Sequence, residues 1–312
     1  MNVNVVSSTQ VFSKNSPSFG AISISQAKKV VKGPIRVLFS DIDGTIYNAD
    51  YKVPPKTKEA IKKLQENDVN VVLTTGRGYR SLDKMYADFG MNADYAVTES
   101  GTIIVDAQKN KIAQNLLSLE SVRWILKVAD ELKQRGLFRL SFDGDSYTEG
   151  TNAAFRNTNI SVHGIKSFNE ILDKGMLPAR AIFAKMDSKS FADIEPLKRK
   201  LMSIFGDKLS VFVSGHKYCE ITNKDVSKAS GIEALCKKLN YEYKNMACIG
   251  DAENDISMAR FLSENGGMSI CMGNGTKQMK QSSRFLTADV DSDGFSRAAE
   301  AIIEINRANG IM

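Results

Sequence analysis

The sequence has few of the side chains on which many metalloenzymes and hydrolases depend. It contains two histidines, His163 and His216, and four cysteines that form no C-x-x-C pair. Two histidines give little support to a histidine-based zinc site or a Ser-His-Asp triad. Cysteines without a disulfide pattern are typical of a reducing compartment, so we expect a cytoplasmic protein.

Long apolar runs are also missing. No run approaches the ~20 residues that a membrane-spanning helix requires, so we expect no membrane partner. Residues 1–34 contain neither an acidic residue nor an arginine, and they lack the continuous apolar segment of a secretory signal. They are rich in serine and asparagine. We interpret them as a disordered or loosely attached tail rather than as a transit-type targeting signal, which would be rich in arginine.

The charge balance is mildly basic. The 312 residues include 42 lysines and arginines and 36 aspartates and glutamates, which gives a net charge of +6. Such a balance is compatible with nucleic-acid binding, but the basic residues are dispersed and no basic patch is interleaved with aromatic residues. We therefore expect that the basic residues lie on solvated helix surfaces and that the protein has no nucleic-acid partner. The length of the chain suits one large or two medium domains. We expect a monomer or a homodimer.

The order of predicted elements indicates an α/β protein with an insertion. Strands and helices alternate in residues 35–111 and again in residues 219–312, which is typical of a doubly wound, Rossmann-like parallel sheet. Residues 112–218 instead combine helices with two hairpins, one at Leu137–Thr148 and one at Leu209–Thr222. We predict a parallel-sheet core interrupted by an α+β domain.

Asp41 and Asp43 follow the strand-like run Ile35–Ser40 and come directly before Gly44 and Thr45. Residues two positions apart point to the same side if the strand continues, and glycine then lets the chain turn. Such a pair can hold a hard cation such as Mg²⁺. It can also act as a nucleophile and a general acid or base. The alternative is a solvated loop after a buried strand.

A second acidic cluster follows the predicted strand Met246–Gly250. It contains Asp251, Asn254 and Asp255. Because ligands bind at the carboxyl ends of strands in open α/β sheets, the two acidic clusters are expected to share one cation. For Asp255 the alternative is a helix-start acid that faces the helix dipole.

Two further segments carry phosphate-binding chemistry. Thr75, Gly76 and Arg77 follow the strand Val69–Thr74 and offer a hydroxyl, backbone N–H groups and a guanidinium. For Arg77 a surface ion pair is a competing interpretation. Lys228 begins a predicted helix, where its ammonium can balance the carboxylates and contact a phosphoryl group.

These four segments, in this order, resemble the motifs of the haloacid dehalogenase (HAD) superfamily, and most closely its Cof-type, sugar-phosphatase-like branch. The resemblance extends over about 36–307. An insertion between motifs two and three implies a C2 cap, here of the C2B type. One departure is Glu99-Ser100-Gly101, where Cof-type relatives usually have Asn-Gly, so no substrate contact is assigned there.

The resemblance implies a role for each motif residue. Asp41 is the expected nucleophile and Asp43 the general acid and base, with Thr75 and Lys228 as transition-state stabilisers. The expected substrate-binding residues are Thr75, Gly76, Arg77, Lys228 and Asn254. The expected Mg²⁺ ligands are Asp41, the backbone carbonyl of Asp43, and Asp251, with Asp255 as a further ligand or a support.

The function that follows is a Mg²⁺-dependent phosphatase for a small phosphorylated metabolite, expected to be a sugar phosphate. A phosphomutase that uses the same aspartyl-phosphate is the alternative enzyme. The non-enzymatic alternative is a regulatory protein that binds a phosphorylated metabolite. Such a protein would be expected to lack Asp41 or Lys228, and both are present.

Overall fold

The chain folds around two β-sheets, an eight-stranded sheet that is mainly parallel and a six-stranded sheet that is mainly antiparallel. The computed structural model describes residues 27, 31, 33–134, 137–151, 153–155 and 161–310. The eight-stranded sheet comes from the two ends of the chain and the six-stranded sheet from its middle.

The eight-stranded sheet has the order β14-β13-β12-β1-β2-β3-β4-β5, in which the first six strands are mutually parallel and β4 pairs antiparallel with both β3 and β5. Its strands are β1 Val37–Ser40, β2 Asn70–Thr74, β3 Tyr95–Thr98, β4 Ile103–Asp106, β5 Lys111–Gln114, β12 Met246–Gly250, β13 Met268–Cys271 and β14 Phe285–Leu286.

Helices cover both faces of this sheet. The helices of this unit are α1 Pro55–Glu66, α2 Leu82–Phe89, α6 Lys228–Leu239, α7 Ile256–Glu264, α8 Lys277–Ser282 and α9 Gly294–Ala308. Leu38 of β1 belongs to the core cluster formed with α1, α2 and α9, whereas its neighbour Phe39 packs in the cluster formed with α6, α7 and α8. Because successive side chains of a strand point to opposite faces, the sheet is buried on both sides. The predicted doubly wound parallel sheet is confirmed.

The six-stranded sheet has the order β10-β11-β9-β6-β7-β8 and is antiparallel except for the parallel pair β7 and β8. Its strands are β6 Phe138–Phe142, β7 Asp145–Glu149, β8 Val162–Ile165, β9 Arg180–Ala184, β10 Leu209–Ser214 and β11 Tyr218–Asn223. The helices of this unit are α3 Leu119–Glu131, α4 Asn169–Leu172 and α5 Phe191–Phe205.

One face of this second sheet packs against the helices of its own unit. Phe138, Leu140 and Phe142 of β6 pack with α3, α4 and α5 in one core cluster. The intervening residues Arg139 and Ser141 therefore lie on the opposite face, as the period of two requires. Both predicted hairpins are present, and β8 and α4 are elements that the sequence did not predict.

Strand pairing changes the predicted domain boundaries. Lys111–Gln114 pairs with β4 in the first sheet, and Tyr218–Asn223 pairs with β9 and β10 in the second. The predicted boundaries at 111/112 and 218/219 cut through these two strands. We therefore propose that the two crossings lie a few residues later, because a strand stays with the sheet that satisfies its backbone hydrogen bonds.

Most of the predicted N-terminal tail, residues 1–34, lies outside the described residues. Ala27 and Val31 are described, and both are buried in the core cluster on the α1 face of the eight-stranded sheet. The loosely attached tail predicted from sequence does not apply to these two positions. Among the described residues, no helix has both the length and the apolarity to cross a bilayer.

Candidate functional site

Asp41, Thr75 and Asp251 each follow the last residue of one of three adjacent strands. Asp41 comes after β1, which lies between β12 and β2. The backbone N–H of Asp41 donates to the Ile249 carbonyl at 3.0 Å, and that of Thr75 donates to the Val97 carbonyl at 2.8 Å. The parallel sheet therefore brings three of the predicted motifs to one edge, where such folds bind ligands.

Lys228 connects the third motif to the two acidic clusters. It is the first residue of α6, whose N-cap Ser227 accepts a hydrogen bond from the Ser230 backbone. Its ammonium donates to Asp41 Oδ1 and, at 2.6 Å, to Asp255 Oδ1. The side chain is 1% exposed. Burial alone would lower the pKa of Lys228, but Asp255 and Asp41 raise it above its ordinary value, so the ammonium stays charged.

Asp255 is held by donors on both oxygens. Its Oδ1 accepts from Lys228, and its Oδ2 accepts from the backbone N–H groups of Asp251 and Ala252, both at 3.0 Å. These contacts shape the loop that carries Asp251. The geometry favours Asp255 as a support for the site over the role of a direct metal ligand, the two alternatives predicted from sequence.

The carboxylates form a cluster with the chemistry of a cation site. Oxygens of Asp41, Asp251 and Asp255 lie within 4.8 Å of one another. Within the part of the chain that the structure describes, Asp251 Oδ1 is buried and has no hydrogen-bond donor. The ammonium of Lys228 contacts two of the three carboxylates, those of Asp41 and Asp255. The cluster thus offers carboxylate oxygens with excess negative charge, and one of these oxygens has no hydrogen-bond donor. Such a site fits a hard divalent cation such as Mg²⁺.

The same charge imbalance changes the pKa of two of these acids. Burial and then the charge of Asp255 raise the pKa of Asp41 to about 7, although Lys228 opposes the shift. Burial and then the charge of Asp41 raise the pKa of Asp251 well above its usual range. A cation bound between the two carboxylates would favour their ionised forms.

Gly44 makes room for Asp251. Its φ is +90°, and a Cβ atom added there would lie 2.8 Å from Cγ of Asp251. Real Cβ atoms essentially never approach other heavy atoms so closely. A side chain at this position would therefore displace the Asp251 carboxylate, which explains why a glycine follows the Asp41–Asp43 pair.

Asp43 is not part of the carboxylate cluster, and it pairs with Arg77. Arg77 Nε lies 2.9 Å from Asp43 Oδ2, and Arg77 Nη2 lies 2.5 Å from Asp43 Oδ1. The Arg77 guanidinium also lies over the rings of Tyr47 and Tyr51. The observed contact thus matches the alternative in which Arg77 forms an ion pair. The contact of Arg77 with a phosphate remains a prediction.

Two of the remaining predicted residues, Gly76 and Asn254, border the same space as Asp41, and Thr75 lies outside its described lining. Thr75 is buried, and its Oγ1 accepts a hydrogen bond from the Arg77 backbone at 3.0 Å. Gly76, Arg77 and Asn254 line a cavity of about 520 Å³ together with Asp41 and Asp251. Among the described residues, the buried Asn254 Oδ1 has no donor. The cavity is of the size that small metabolites occupy.

The six-stranded sheet forms the other wall of this cavity, and a buried ion-pair network joins it to the first sheet. Arg180 of β9 donates to Glu99 at 2.7 Å and to Glu220 of β11. Ser100 donates to Glu220 at 2.8 Å, and Ser141 donates to Glu99 at 2.7 Å. We name Glu99, Ser100, Ser141, Arg180 and Glu220 the junction network.

Sequence reasoning missed the junction network. Glu99 and Ser100 form the segment that departs from the family pattern, and their φ values are +51° and +59°. Arg180 and Glu220 are charged residues within otherwise apolar strands, which is the one sequence signal that could have identified them. Burial would raise the pKa of Glu220, but Arg180 holds it below its ordinary value.

A second contact joins the two units at the β6–β7 turn. Tyr79 and Arg80 donate to the Asp143 carboxylate, each at 2.5 Å. A Cβ atom added to Gly78 would lie 2.7 Å from the carbonyl carbon of Gly144 in this turn. The six-stranded unit therefore lies directly against the loop that follows Arg77, over the entrance to the carboxylate cluster.

Comparisons with known proteins agree with this geometry. The model of a family described as haloacid dehalogenase-like hydrolase matches residues 38–298. YkrA of Bacillus subtilis is 24% identical over 273 residues, which are 86% of this chain and 97% of YkrA. An HMP-PP phosphatase of Yersinia pestis is 25% identical over 79% of this chain and 86% of its own length.

The fold also matches solved structures. The HAD subclass IIB sugar phosphatase BT4131 superposes with a TM-score of 0.70 at 18% identity, and the match covers 89% of this chain and all of BT4131. At this identity the likeness concerns the fold alone. It includes both the parallel-sheet unit and the six-stranded unit, since nearly nine tenths of the chain takes part.

Proposed function

This chain belongs to the haloacid dehalogenase-like hydrolase family, and on that premise we propose that it is a Mg²⁺-dependent phosphatase of small phosphorylated metabolites that forms an aspartyl-phosphate on Asp41. The predicted class of enzyme, a phosphoric monoester hydrolase, agrees with the family. The observation that supports the mechanism most strongly is the contact of Lys228 with both Asp41 and Asp255 at the carboxyl edge of the sheet.

The first half-reaction transfers the phosphoryl group to the protein. An Asp41 carboxylate oxygen attacks phosphorus, and the bond between phosphorus and the ester oxygen breaks. Lys228 holds Oδ1 of Asp41, so Oδ2 is the oxygen that attacks. Asp43 gives a proton to the departing alcohol oxygen from one of its carboxyl oxygens, while Arg77 keeps its hydrogen bond to the other.

The second half-reaction returns the protein to its starting state. A water molecule loses a proton to Asp43 and attacks phosphorus from the side that the alcohol has left. The bond between phosphorus and Asp41 breaks, inorganic phosphate departs, and Asp43 again carries a proton. The Thr75 hydroxyl and the Lys228 ammonium stabilise the charge on the transferring group in both steps.

Asp41, the backbone carbonyl of Asp43, and Asp251 are the groups we propose for holding Mg²⁺, with Asp255 fixing the Asp251 loop. When bound, the ion neutralises phosphoryl charge. Two observations support this assignment. Asp251 Oδ1 has no protein donor among the described residues, and Gly44 leaves room for the Asp251 carboxylate.

We propose that the six-stranded unit, residues 115–226 by the strand pairing, acts as the cap that selects the substrate. It forms one wall of the cavity and is joined to the parallel-sheet unit by the junction network, so it can limit the access of water. Exclusion of water protects an acyl phosphate from hydrolysis until the catalytic base is in place. A sugar phosphate is the substrate class we propose, since the cavity volume of about 520 Å³ suits one.

The proposal is tested by phosphate release from p-nitrophenyl phosphate and from a panel of sugar phosphates. Wild-type protein with Mg²⁺ should release phosphate, and both Asp41→Asn and EDTA treatment should abolish release while circular dichroism stays native. Wild-type rates from Asp41→Asn would refute the nucleophile assignment. Transfer between positions of a sugar bisphosphate, without free phosphate, would identify a phosphomutase instead.

A further inference from the structure

Arg139 is a buried cation with unpaired N–H donors in the part of the chain that the structure describes. It lies on β6, on the face of the six-stranded sheet that borders the cavity, and it is 2% exposed. Among the described residues, no acceptor contacts its Nε or Nη1 atoms. Its guanidinium lies between the rings of Phe155, at 5.5 Å, and Tyr218, at 4.9 Å.

The other arginines of the cavity are neutralised by protein carboxylates. Arg77 pairs with Asp43, Arg80 pairs with Asp143, and Arg180 pairs with Glu99 and Glu220. Of the four cavity-lining arginines in the described ranges, Arg139 is the one for which the structure shows no ion pair. Burial and then the charge of Arg180 lower the pKa of Arg139 to about 10, so it remains a cation at neutral pH.

Packing alone does not account for this arginine. A cation–π contact contributes ~0.5–2 kcal/mol, whereas removing a charged group from water costs several kcal/mol unless hydrogen bonds replace the lost water. An apolar residue would fill the space between Phe155 and Tyr218 at lower cost. The unused donors therefore point to an anionic ligand group, which a planar guanidinium can bind through two parallel hydrogen bonds.

We propose that Arg139 binds a second anionic group of the substrate, a carboxylate or a further phosphate on the leaving alcohol. This inference rests on the proposed phosphatase function. The phosphoryl group that reacts lies at Asp41 on one wall of the cavity, and Arg139 belongs to the opposite wall. The substrate is then a small phosphate ester with negative charge at both ends.

Matched substrate pairs test the proposal. Phosphoglycolate and hydroxyethyl phosphate differ in a carboxylate, and glucose 1,6-bisphosphate and glucose 1-phosphate differ in a phosphate. With wild-type protein, the anionic member of at least one pair should have a kcat/KM higher by about tenfold or more, the effect of one charge-assisted contact. The pair that responds identifies the anionic group. Equal kcat/KM values within both pairs would overturn the proposal.

The variant Arg139→Met keeps an unbranched apolar side chain in place of the arginine stem and removes the charge. It should erase the preference through a rise in KM for the member with the second anionic group, and the change in KM should be much smaller for the member that lacks this group. Arg199→Met, on the exposed side of α5, is the control for loss of a positive charge in the same unit. Arg139→Lys should restore part of the preference. Equal losses on both members would indicate a structural role and contradict the proposal.

Binding of the same compounds, measured by calorimetry, separates the two proposals. If wild-type protein binds the anionic member more tightly but releases no phosphate from any ester, the proposed function fails and the role of Arg139 stands. If it releases phosphate from p-nitrophenyl phosphate but shows no preference in rate or binding, the proposed function stands and the role of Arg139 fails.

Discussion

Arg77 holds Asp43 through two parallel hydrogen bonds, with Nε 2.9 Å from Oδ2 and Nη2 2.5 Å from Oδ1. The proposed general acid is thus fixed by a guanidinium that is itself packed over Tyr47 and Tyr51. Because Asp43 is about half exposed and Arg77 is mostly covered, Arg77 sets the direction from which Asp43 approaches the leaving group.

Arg77→Met should impair alkyl phosphates more than aryl phosphates. An alkoxide needs a proton as it departs, whereas p-nitrophenolate is stable without one, so a poorly placed Asp43 matters mainly for the first. We expect the ratio of kcat for the alkyl phosphate to kcat for the aryl phosphate to fall about tenfold. This is smaller than the effect of removing a general acid completely. Arg123→Met, exposed on α3, should leave the ratio unchanged. An equal decrease for both esters would instead place Arg77 on the phosphate.

Lys228→Met should lower both activity and stability. The substitution leaves Asp41 and Asp255 buried without their shared cation, and breaking a buried ion pair costs about 3–5 kcal/mol. Chemical denaturation at neutral pH measures the free energy of unfolding. Lys237→Met is the matched control, because Lys237 is exposed and pairs with Glu233 on the surface of the same helix; it should change stability by less than ~1 kcal/mol. Equal effects would mean that the Lys228 contacts contribute little.

The position of the motif residues could be predicted because it follows from topology. Parallel strands that end at one edge bring Asp41, Thr75 and Asp251 together whatever the details of packing. The fold class followed from the alternation of elements for the same reason. The short strand β8 was missed because two of its four residues are exposed, which gives it little hydrophobic pattern.

Contacts between the two units could not be predicted from local pattern. The pairing of Arg180 with Glu99 joins residues 81 positions apart, and nothing in either segment specifies the partner. Whether Arg77 contacts a phosphate or Asp43 likewise depends on the distances between these groups in the folded protein. Arg139 illustrates the same limit, since only the three-dimensional structure shows that its Nε and Nη1 atoms have no acceptor among the described residues.

Gly44→Ala should weaken Mg²⁺ binding. The added methyl carbon would meet the Asp251 carboxylate, and the φ of +90° is strained for alanine. Mg²⁺ titration by calorimetry should show at least a tenfold loss of affinity. This is the lower end of the loss usually seen when residues that orient a metal ligand are mutated. Gly90→Ala is the control, because its φ of +67° carries similar strain but its Cβ would meet open space. It should lose stability and keep its Mg²⁺ affinity. Unchanged affinity in Gly44→Ala would contradict the metal assignment.

The stability of the Mg²⁺-free protein should depend on pH through Asp41 and Asp251. The unfolded chain releases these protons near the ordinary pKa of 3.8, whereas folded Asp41 retains its proton to about pH 7. The unfolded state therefore binds fewer protons over this interval, so the contribution of Asp41 to the free energy of unfolding falls as pH rises from about 4 to 7. The raised pKa of Asp251 acts in the same direction.

Mg²⁺ should reverse that loss, since it binds the ionised carboxylates. Its stabilisation, measured as the rise in Tm over a sample in EDTA, should be larger at about pH 8 than at about pH 5. Asp251→Asn removes one titrating ligand and should reduce the difference. The same Tm rise at both pH values would show that the carboxylates do not change protonation when the metal binds.

The most direct measurement is the isolation of the phosphorylated protein. Asp43→Asn keeps the nucleophile but removes the base that activates water, so p-nitrophenyl phosphate should give a burst of p-nitrophenolate equal to the amount of enzyme. Acid quenching and peptide mass spectrometry should then place a phosphoryl group on Asp41. A burst with the phosphoryl group elsewhere, or turnover of wild-type protein with no covalent adduct in the variant, would contradict the account.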